Sequence, residues 1–179
     1  MKKLLVSKKS ISIIKKIKLL CLDVDGVMTD GGIYYSNDGN ITRKYNIQDG
    51  YGIKKIIKSG LNLAIITMSN EKNIKIRMKS LGIKNYFFNI HSKLSVVSML
   101  SKKMNIKMSE IAFLGDDLND MEVMKKVGLP ISVSNAVREI KKITLFTTTL
   151  PGGSGAIRQV CDLIIKIKKQ EATYKENIF

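Results

Sequence analysis

Apolar and polar positions in this chain fall into blocks of two kinds. Residues 17–24, IKLLCLDV, are a short apolar run that ends in acids. A strand buried on both faces of a parallel sheet has this pattern. LNLAIITMS (61–69), YFFNI (86–90) and the apolar part of MSEIAFLGDD (108–117) repeat it, and LPISVS and ITLFTT add two more strands. Between these runs the spacing turns helical. GYGIKKIIKS (50–59) stops at Gly60, and NEKNIKIRMKSLG (70–82) puts Ile74, Met78 and Leu81 on one face. SKLSVVSMLSKKM (92–104) and NDMEVMKKVG (119–128) are two further helices, and GGSGAIRQVCDLIIKIKKQ (152–170) opens on a glycine loop and runs into a long one. Strands alternating with helices predict an α/β fold with a doubly wound parallel sheet and right-handed crossovers.

One segment breaks the alternation. Two β-rich runs flank Asn37-Asp38-Gly39, a hairpin signal. This hairpin, Ile33–Ile47, is too small to be a closing cap domain. Residues 1–16 read as a basic, partly helical lead-in, 17–170 as one domain and 171–179 as a polar tail.

Composition narrows the class. A chain of 179 residues, 44% hydrophobic, is one domain's worth and needs no disulfides to fold. No apolar run approaches the ~18 residues of a membrane span. Lysines interrupt the first twenty residues too often for a signal peptide, so a cytoplasmic protein is expected. The net charge is +16, from 31 Lys plus Arg against 15 Asp plus Glu. The excess is nearly all Lys beside abundant Ile, and A/T-rich codons alone account for that pairing. No nucleic-acid motif accompanies the charge, so neither nucleic acid nor membrane is an expected partner. The field would still draw in an anionic substrate. Two separated cysteines and a lone histidine exclude a zinc site.

The chemistry stands at the strand ends. Asp23 and Asp25 follow the first strand, Thr67 the second, Lys93 the third, and Asp116, Asp117 and Asp120 the fourth. In a doubly wound sheet all of these emerge at one edge. Crowded carboxylates repel, and a hard divalent cation such as Mg²⁺ relieves the repulsion while leaving room for a phosphate. One carboxylate could then attack phosphorus, a second could move protons, and a hydroxyl and an amine could hold phosphoryl oxygens.

DVDGV after an apolar strand, then Thr67, Lys93 and GDDLND in that order, resembles the haloacid-dehalogenase-like phosphatase superfamily, Rossmann-like and here without a large cap domain. DVDGVMTDG, the hairpin, YNIQDGYGI and GGSGAIRQVCDL resemble, within it, the capless phosphatases of 3-deoxy-D-manno-octulosonate 8-phosphate. The resemblance covers residues ~17–166. It implies a phosphoric monoester hydrolase that serves lipopolysaccharide synthesis through an aspartyl-phosphate. It implies Asp23 as nucleophile and Mg²⁺ ligand, and Asp25 as general acid/base whose backbone carbonyl also binds the metal. Thr67 would bond the phosphoryl group, Lys93 would stabilise the charged intermediate, and Asp116 would complete the protein ligands. Asp117 and Asp120 would shape the acidic cluster. The family also implies a homotetramer whose hairpins meet centrally and whose neighbouring subunits complete each site. The glycine loop and the tail would then lie near an active site.

One departure bears on the substrate. Such relatives usually carry Gly and Arg after the motif threonine, and the Arg would read the acidic end of the sugar. This chain has Met68 and Ser69. Ser69, Arg77, Gly152 and Gly153 are therefore the candidate substrate contacts. A nine-carbon ulosonate 9-phosphate, of the sialic-acid kind, is the alternative substrate. A catalytically silent binding subunit is the remote alternative, and an Asn at position 23 or 25 would have favoured it.

Overall fold

The computed structural model describes residue 4 and residues 6–176, the last six by their backbone alone. In chain order the elements are α1 (Lys8–Lys16), β1 (Leu19–Leu22), β2 (Tyr34–Tyr35), β3 (Ile41–Thr42), α2 (Ile47–Lys58), β4 (Asn62–Ile66), α3 (Lys72–Leu81) and β5 (Asn85–Phe87). They continue with α4 (Lys93–Lys103), β6 (Ile111–Gly115), α5 (Met121–Met124), β7 (Leu129–Ser132), α6 (Arg138–Ile143), β8 (Phe146–Thr147) and α7 (Ala156–Glu176).

Among the described residues, six strands form one sheet in the order β5-β4-β1-β6-β7-β8, with every neighbouring pair parallel. From β1 the chain steps outward to β4 and β5, then returns to the other side of β1 with β6. The winding reverses beside β1, where such sheets open a crevice at the strands' carboxyl ends. Leu22 lies level with Ile65 and with Leu114. Asp23, Thr67 and Asp116 therefore leave the sheet at the same edge. The strands hold because both faces are apolar: all of β1 is buried, as are Leu63–Ile66 and Ile111–Leu114. β2 and β3 pair as a separate antiparallel hairpin. No cap domain is built among the described residues.

The structure extends or corrects the sequence expectation in three segments. The basic lead-in is largely a helix: the Ser7 hydroxyl accepts from the Ser10 amide to start α1, and Ile14 and Ile17 are fully buried in the core. Its lysines sit on the outer face. The long last helix does not end at residue 170; its backbone continues to Glu176. The tail's last residues, 177–179, lie outside the described residues. Finally, α6 joins β7 to β8 where no helix was expected, and the 119–128 helix contracts to a single turn, α5, after a 3-10 turn at Leu118–Asp120. Both α5 and α6 are too short to show a periodic stripe.

Candidate active site

The residues that close the strands converge. Asp23, 4% exposed, accepts from the Val24 amide at 2.7 Å through Oδ1. Its Oδ2 lies 2.9 Å from Lys93 Nζ. Lys93 is the first residue of α4, a helix begun by the Ser92 hydroxyl, which accepts from the Ser95 amide. The Lys93 ammonium also donates to Asp120 Oδ1 at 2.6 Å, and Asp120 Oδ2 accepts from the Asp116 amide at 3.0 Å. Asp23, Lys93, Asp120 and Asp116 thus form one chain of contacts across β1 and β6. Gly26, at φ +81°, makes room for it, because a Cβ there would lie 1.9 Å from Asp116 Oδ2.

Burial and crowding raise the carboxyls of Asp23 and Asp116. Burial, then the neighbouring Asp120, pushes Asp23 up to about 8 against the pull of Lys93. The same two causes push Asp116 up to about 7. Burial draws the Lys93 ammonium down, but Asp23 and Asp120 outweigh it and hold it above its ordinary value.

The donor set suits a hard divalent cation. Carboxylate oxygens of Asp23, Asp116 and Asp120 lie within 4.8 Å of one another. Asp116 Oδ1 is buried and has no hydrogen-bond partner among the described residues. Asp120 is fully buried and does not line the open cavity, whereas Asp23 and Asp116 do, so these two are the carboxylates an entering cation reaches. An all-oxygen site of this kind fits Mg²⁺.

The Asp25 carboxylate is held apart from the cluster. Arg43 Nε donates to its Oδ1 at 2.7 Å, and the Ser69 hydroxyl donates to its Oδ2 at 2.6 Å. Thr67, 1% exposed, accepts from the Ser69 amide at 3.1 Å. A cavity of about 230 Å³ opens over these groups, lined by Asp23, Asp25, Thr67, Met68, Ser69, Asp116 and Asp117 among others. Asp117 caps the 3-10 turn by accepting from the Leu118 amide. A larger cavity, about 650 Å³, opens at the amino ends of the strands around Lys18 and Asn62, away from every carboxylate of the cluster.

Three of the four candidate substrate contacts lie elsewhere. Arg77 donates to the Asn46 carbonyl at 3.3 Å and stacks over Tyr45, joining α3 to the start of α2. Gly152 and Gly153 do not line the cavity. A Cβ at Gly152 would fall 1.8 Å from the Gly26 carbonyl oxygen, and the Gly153 amide donates to the Val27 carbonyl at 3.0 Å. They brace the loop that carries Asp23 and Asp25. Ser69 alone of the four faces the cavity. Sequence reasoning missed Arg43 altogether. It stands in the hairpin, eighteen residues from its partner, and nothing local marks it.

Comparison with known proteins adds a second line of support. A family model described as haloacid dehalogenase-like hydrolase matches residues 87–157. The chain is 40% identical over 151 residues to the 3-deoxy-D-manno-octulosonate 8-phosphate phosphatase KdsC of Escherichia coli K12, covering 84% of this chain and 80% of that protein. The crystal structure of the phosphatase of the same name from Yersinia pestis superposes with a TM-score of 0.89 at 37% identity, over 92% of this chain and 89% of that one. The Moraxella catarrhalis phosphatase, solved in complex with magnesium ion, phosphate ion and a KDO molecule, superposes with a TM-score of 0.88 at 35% identity, over 96% and 98% of the two chains.

Proposed function

The chain belongs to the 3-deoxy-D-manno-octulosonate 8-phosphate phosphatases of the haloacid dehalogenase-like hydrolases, and on that premise we propose that it is a Mg²⁺-dependent phosphoric monoester hydrolase that converts this substrate to the free sugar acid and inorganic phosphate. The observation that carries the reading is the buried Asp23–Lys93–Asp120–Asp116 chain beneath an open cavity.

Asp23 is the nucleophile. One of its oxygens is fixed by the Val24 amide and the other by Lys93, which leaves the carboxylate little rotational freedom. A restrained nucleophile loses less entropy on reaching phosphorus. Lys93 supplies positive charge where the phosphoryl oxygens gather, and Thr67 supplies a hydroxyl beside it. Asp25 gives its proton to the leaving sugar oxygen as the P–O bond breaks, and later takes one from the water that opens the aspartyl-phosphate. The carboxylates of Asp23 and Asp116 and the backbone carbonyl of Asp25 would hold Mg²⁺, which when bound neutralises the crowded anions and the phosphate. Asp117 and Asp120 support this arrangement, Asp120 by orienting Lys93 and Asp116.

The named relatives act on the eight-carbon acid, so the nine-carbon alternative is not favoured. Ser69 bonds Asp25 and Thr67, and Asp23, Asp25, Thr67, Lys93 and Asp116 are all present around this loop. The account extends to a homotetramer, supported by the exposed Ile33, Tyr34 and Tyr35 of the hairpin. A cytoplasmic setting belongs to the same proposal, and Cys21 and Cys161 are both buried free thiols. The test is phosphate release from the eight-carbon acid 8-phosphate: it should need Mg²⁺, stop with EDTA, and vanish in Asp23→Asn while the variant stays folded. Activity retained by that variant would overturn the nucleophile assignment.

A further inference from the structure

Arg43 follows β3 directly, and its side chain is 1% exposed. A guanidinium buried this far is costly unless it is paired and hydrogen-bonded. Its pairing is directed mainly at one group. Nε lies 2.7 Å from Asp25 Oδ1 and Nη2 lies 3.3 Å from Asp25 Oδ2, so the planar fork spans both oxygens. Nη2 also donates to the Ser69 hydroxyl at 3.2 Å, and that hydroxyl donates onward to Asp25 Oδ2 at 2.6 Å. Glu71 Oε2 adds a second anion 3.2 Å from Nη2. Arg43 Nη1, by contrast, is buried with no partner among the described residues. The guanidinium is turned to serve Asp25 at the expense of its own hydrogen bonding.

The backbone behind Arg43 is anchored as well. Lys44 Nζ pairs with Asp30 Oδ2 at 2.6 Å, and Asn73 Nδ2 donates to the Ile41 carbonyl at 2.7 Å. The base of the hairpin is thereby tied to the loop after β1 and to α3.

We infer that Arg43 is a positioning residue for proton transfer: with Ser69, its fork fixes the direction in which Asp25 presents its carboxyl to the leaving oxygen. The inference rests on the reading of Asp25 as general acid/base. The Asp25 side chain is 32% exposed at a turn, and without the fork only the single Ser69 hydroxyl bond to Oδ2 would restrain its carboxyl. General-acid catalysis needs the carboxyl within hydrogen-bond reach of the leaving oxygen, so a rotated carboxyl loses most of its effect. Lysine is a poor substitute, because a point charge does not orient both oxygens of a carboxylate.

The experiment compares two substrates of the Mg²⁺-loaded enzyme. The sugar-acid 8-phosphate has an alkoxide leaving group that needs a proton. p-Nitrophenyl phosphate has a leaving group that departs without one. kcat/KM covers the steps up to leaving-group departure and isolates the proton delivery. Arg43→Gln should lose roughly 10²-fold on the sugar phosphate and less than about fivefold on the aryl phosphate. Arg43→Lys should fall between wild type and Arg43→Gln on the sugar phosphate alone. It keeps the buried charge paired and serves as the test if Arg43→Gln does not fold. Equal losses on both substrates would make Arg43 merely structural and overturn the inference, as would no loss on either. Asp25→Asn separates the two levels. If it shows the same leaving-group dependence while the Arg43 variants do not, Arg43 alone is wrongly assigned. If Asp25→Asn shows none, the general-acid reading falls and the inference falls with it.

Discussion

The Lys93 ammonium stands 2.9 Å from Asp23 Oδ2, at the carboxyl end of the central strand, with the side chains of both residues almost wholly buried. A second buried carboxylate, Asp120, holds the same ammonium at 2.6 Å. Two anions on one cation keep the lysine charged and its position fixed. Lys93→Met would leave both carboxylates buried without their counter-charge. Breaking a buried pair in this way costs about 3–5 kcal/mol. Urea unfolding should show a loss of that order, and Asp120→Asn in the same chain should restore part of it. A Lys93→Met protein as stable as wild type would contradict the pairing.

The raised carboxyls set a pH dependence. Asp23 and Asp116, at about 8 and about 7, bind protons more tightly folded than unfolded. Their contribution to stability is complete below the ordinary carboxyl range and is lost as pH rises through the folded values. The metal-free protein should therefore melt at falling temperature from about pH 4 to about pH 8. Mg²⁺ needs the ionised carboxylates, so its affinity should rise over the upper part of that range, by about tenfold per pH unit for each proton displaced. Melting curves with and without Mg²⁺ check both signs. A Mg²⁺-induced shift that ignores pH would contradict the assignment of Asp23 and Asp116 as ligands.

Gly152 makes a different kind of prediction, because its neighbour is backbone. A Cβ at this position would meet the Gly26 carbonyl oxygen at 1.8 Å, with the Gly26 carbonyl carbon at 2.6 Å. Neither atom can swing away as a side-chain tip would. Gly152→Ala should cost about 1–3 kcal/mol by overpacking. It should also lower turnover by displacing the loop of Asp23 and Asp25. Gly60→Ala is the control, since nothing lies within 4 Å of its added Cβ, although its φ of +84° still imposes strain. Gly60→Ala should lose stability and keep its turnover. If Gly152→Ala also kept full turnover, the bracing role would be wrong.

The strand-end groups were legible in the sequence because each follows an apolar run, and a parallel sheet sends all such ends to one edge. Asp23 and Asp116 stood out on that pattern, whereas Thr67 is a common strand-end residue and was singled out by the order of the motif. Lys93 was found through the order of the motif, since its own strand, β5, ends six residues earlier at Phe87. Arg43 was not legible. Its partners Asp25, Ser69 and Glu71 come from two different loops, and only the folded chain brings them together. Arg77 and Gly152 were read as candidate substrate contacts, and within the described chain both make packing contacts. Arg77 bridges two helices, and Gly152 lets two backbones approach. Helix α1 was legible only in part, because its lysines interrupt the apolar stripe, although Ser7 three residues before Ser10 is the capping geometry that starts it.

The most direct test of the central claim is a substrate panel under Mg²⁺, measuring phosphate release from the eight-carbon acid 8-phosphate, nine-carbon acid 9-phosphates and simple hexose phosphates. The account predicts the highest kcat/KM on the eight-carbon acid, which would show that Met68 and Ser69 are tolerated and that other groups recognise the acid. A higher kcat/KM on a nine-carbon acid would contradict it, and would mean that the loop after Thr67 has reset the specificity of otherwise unchanged machinery.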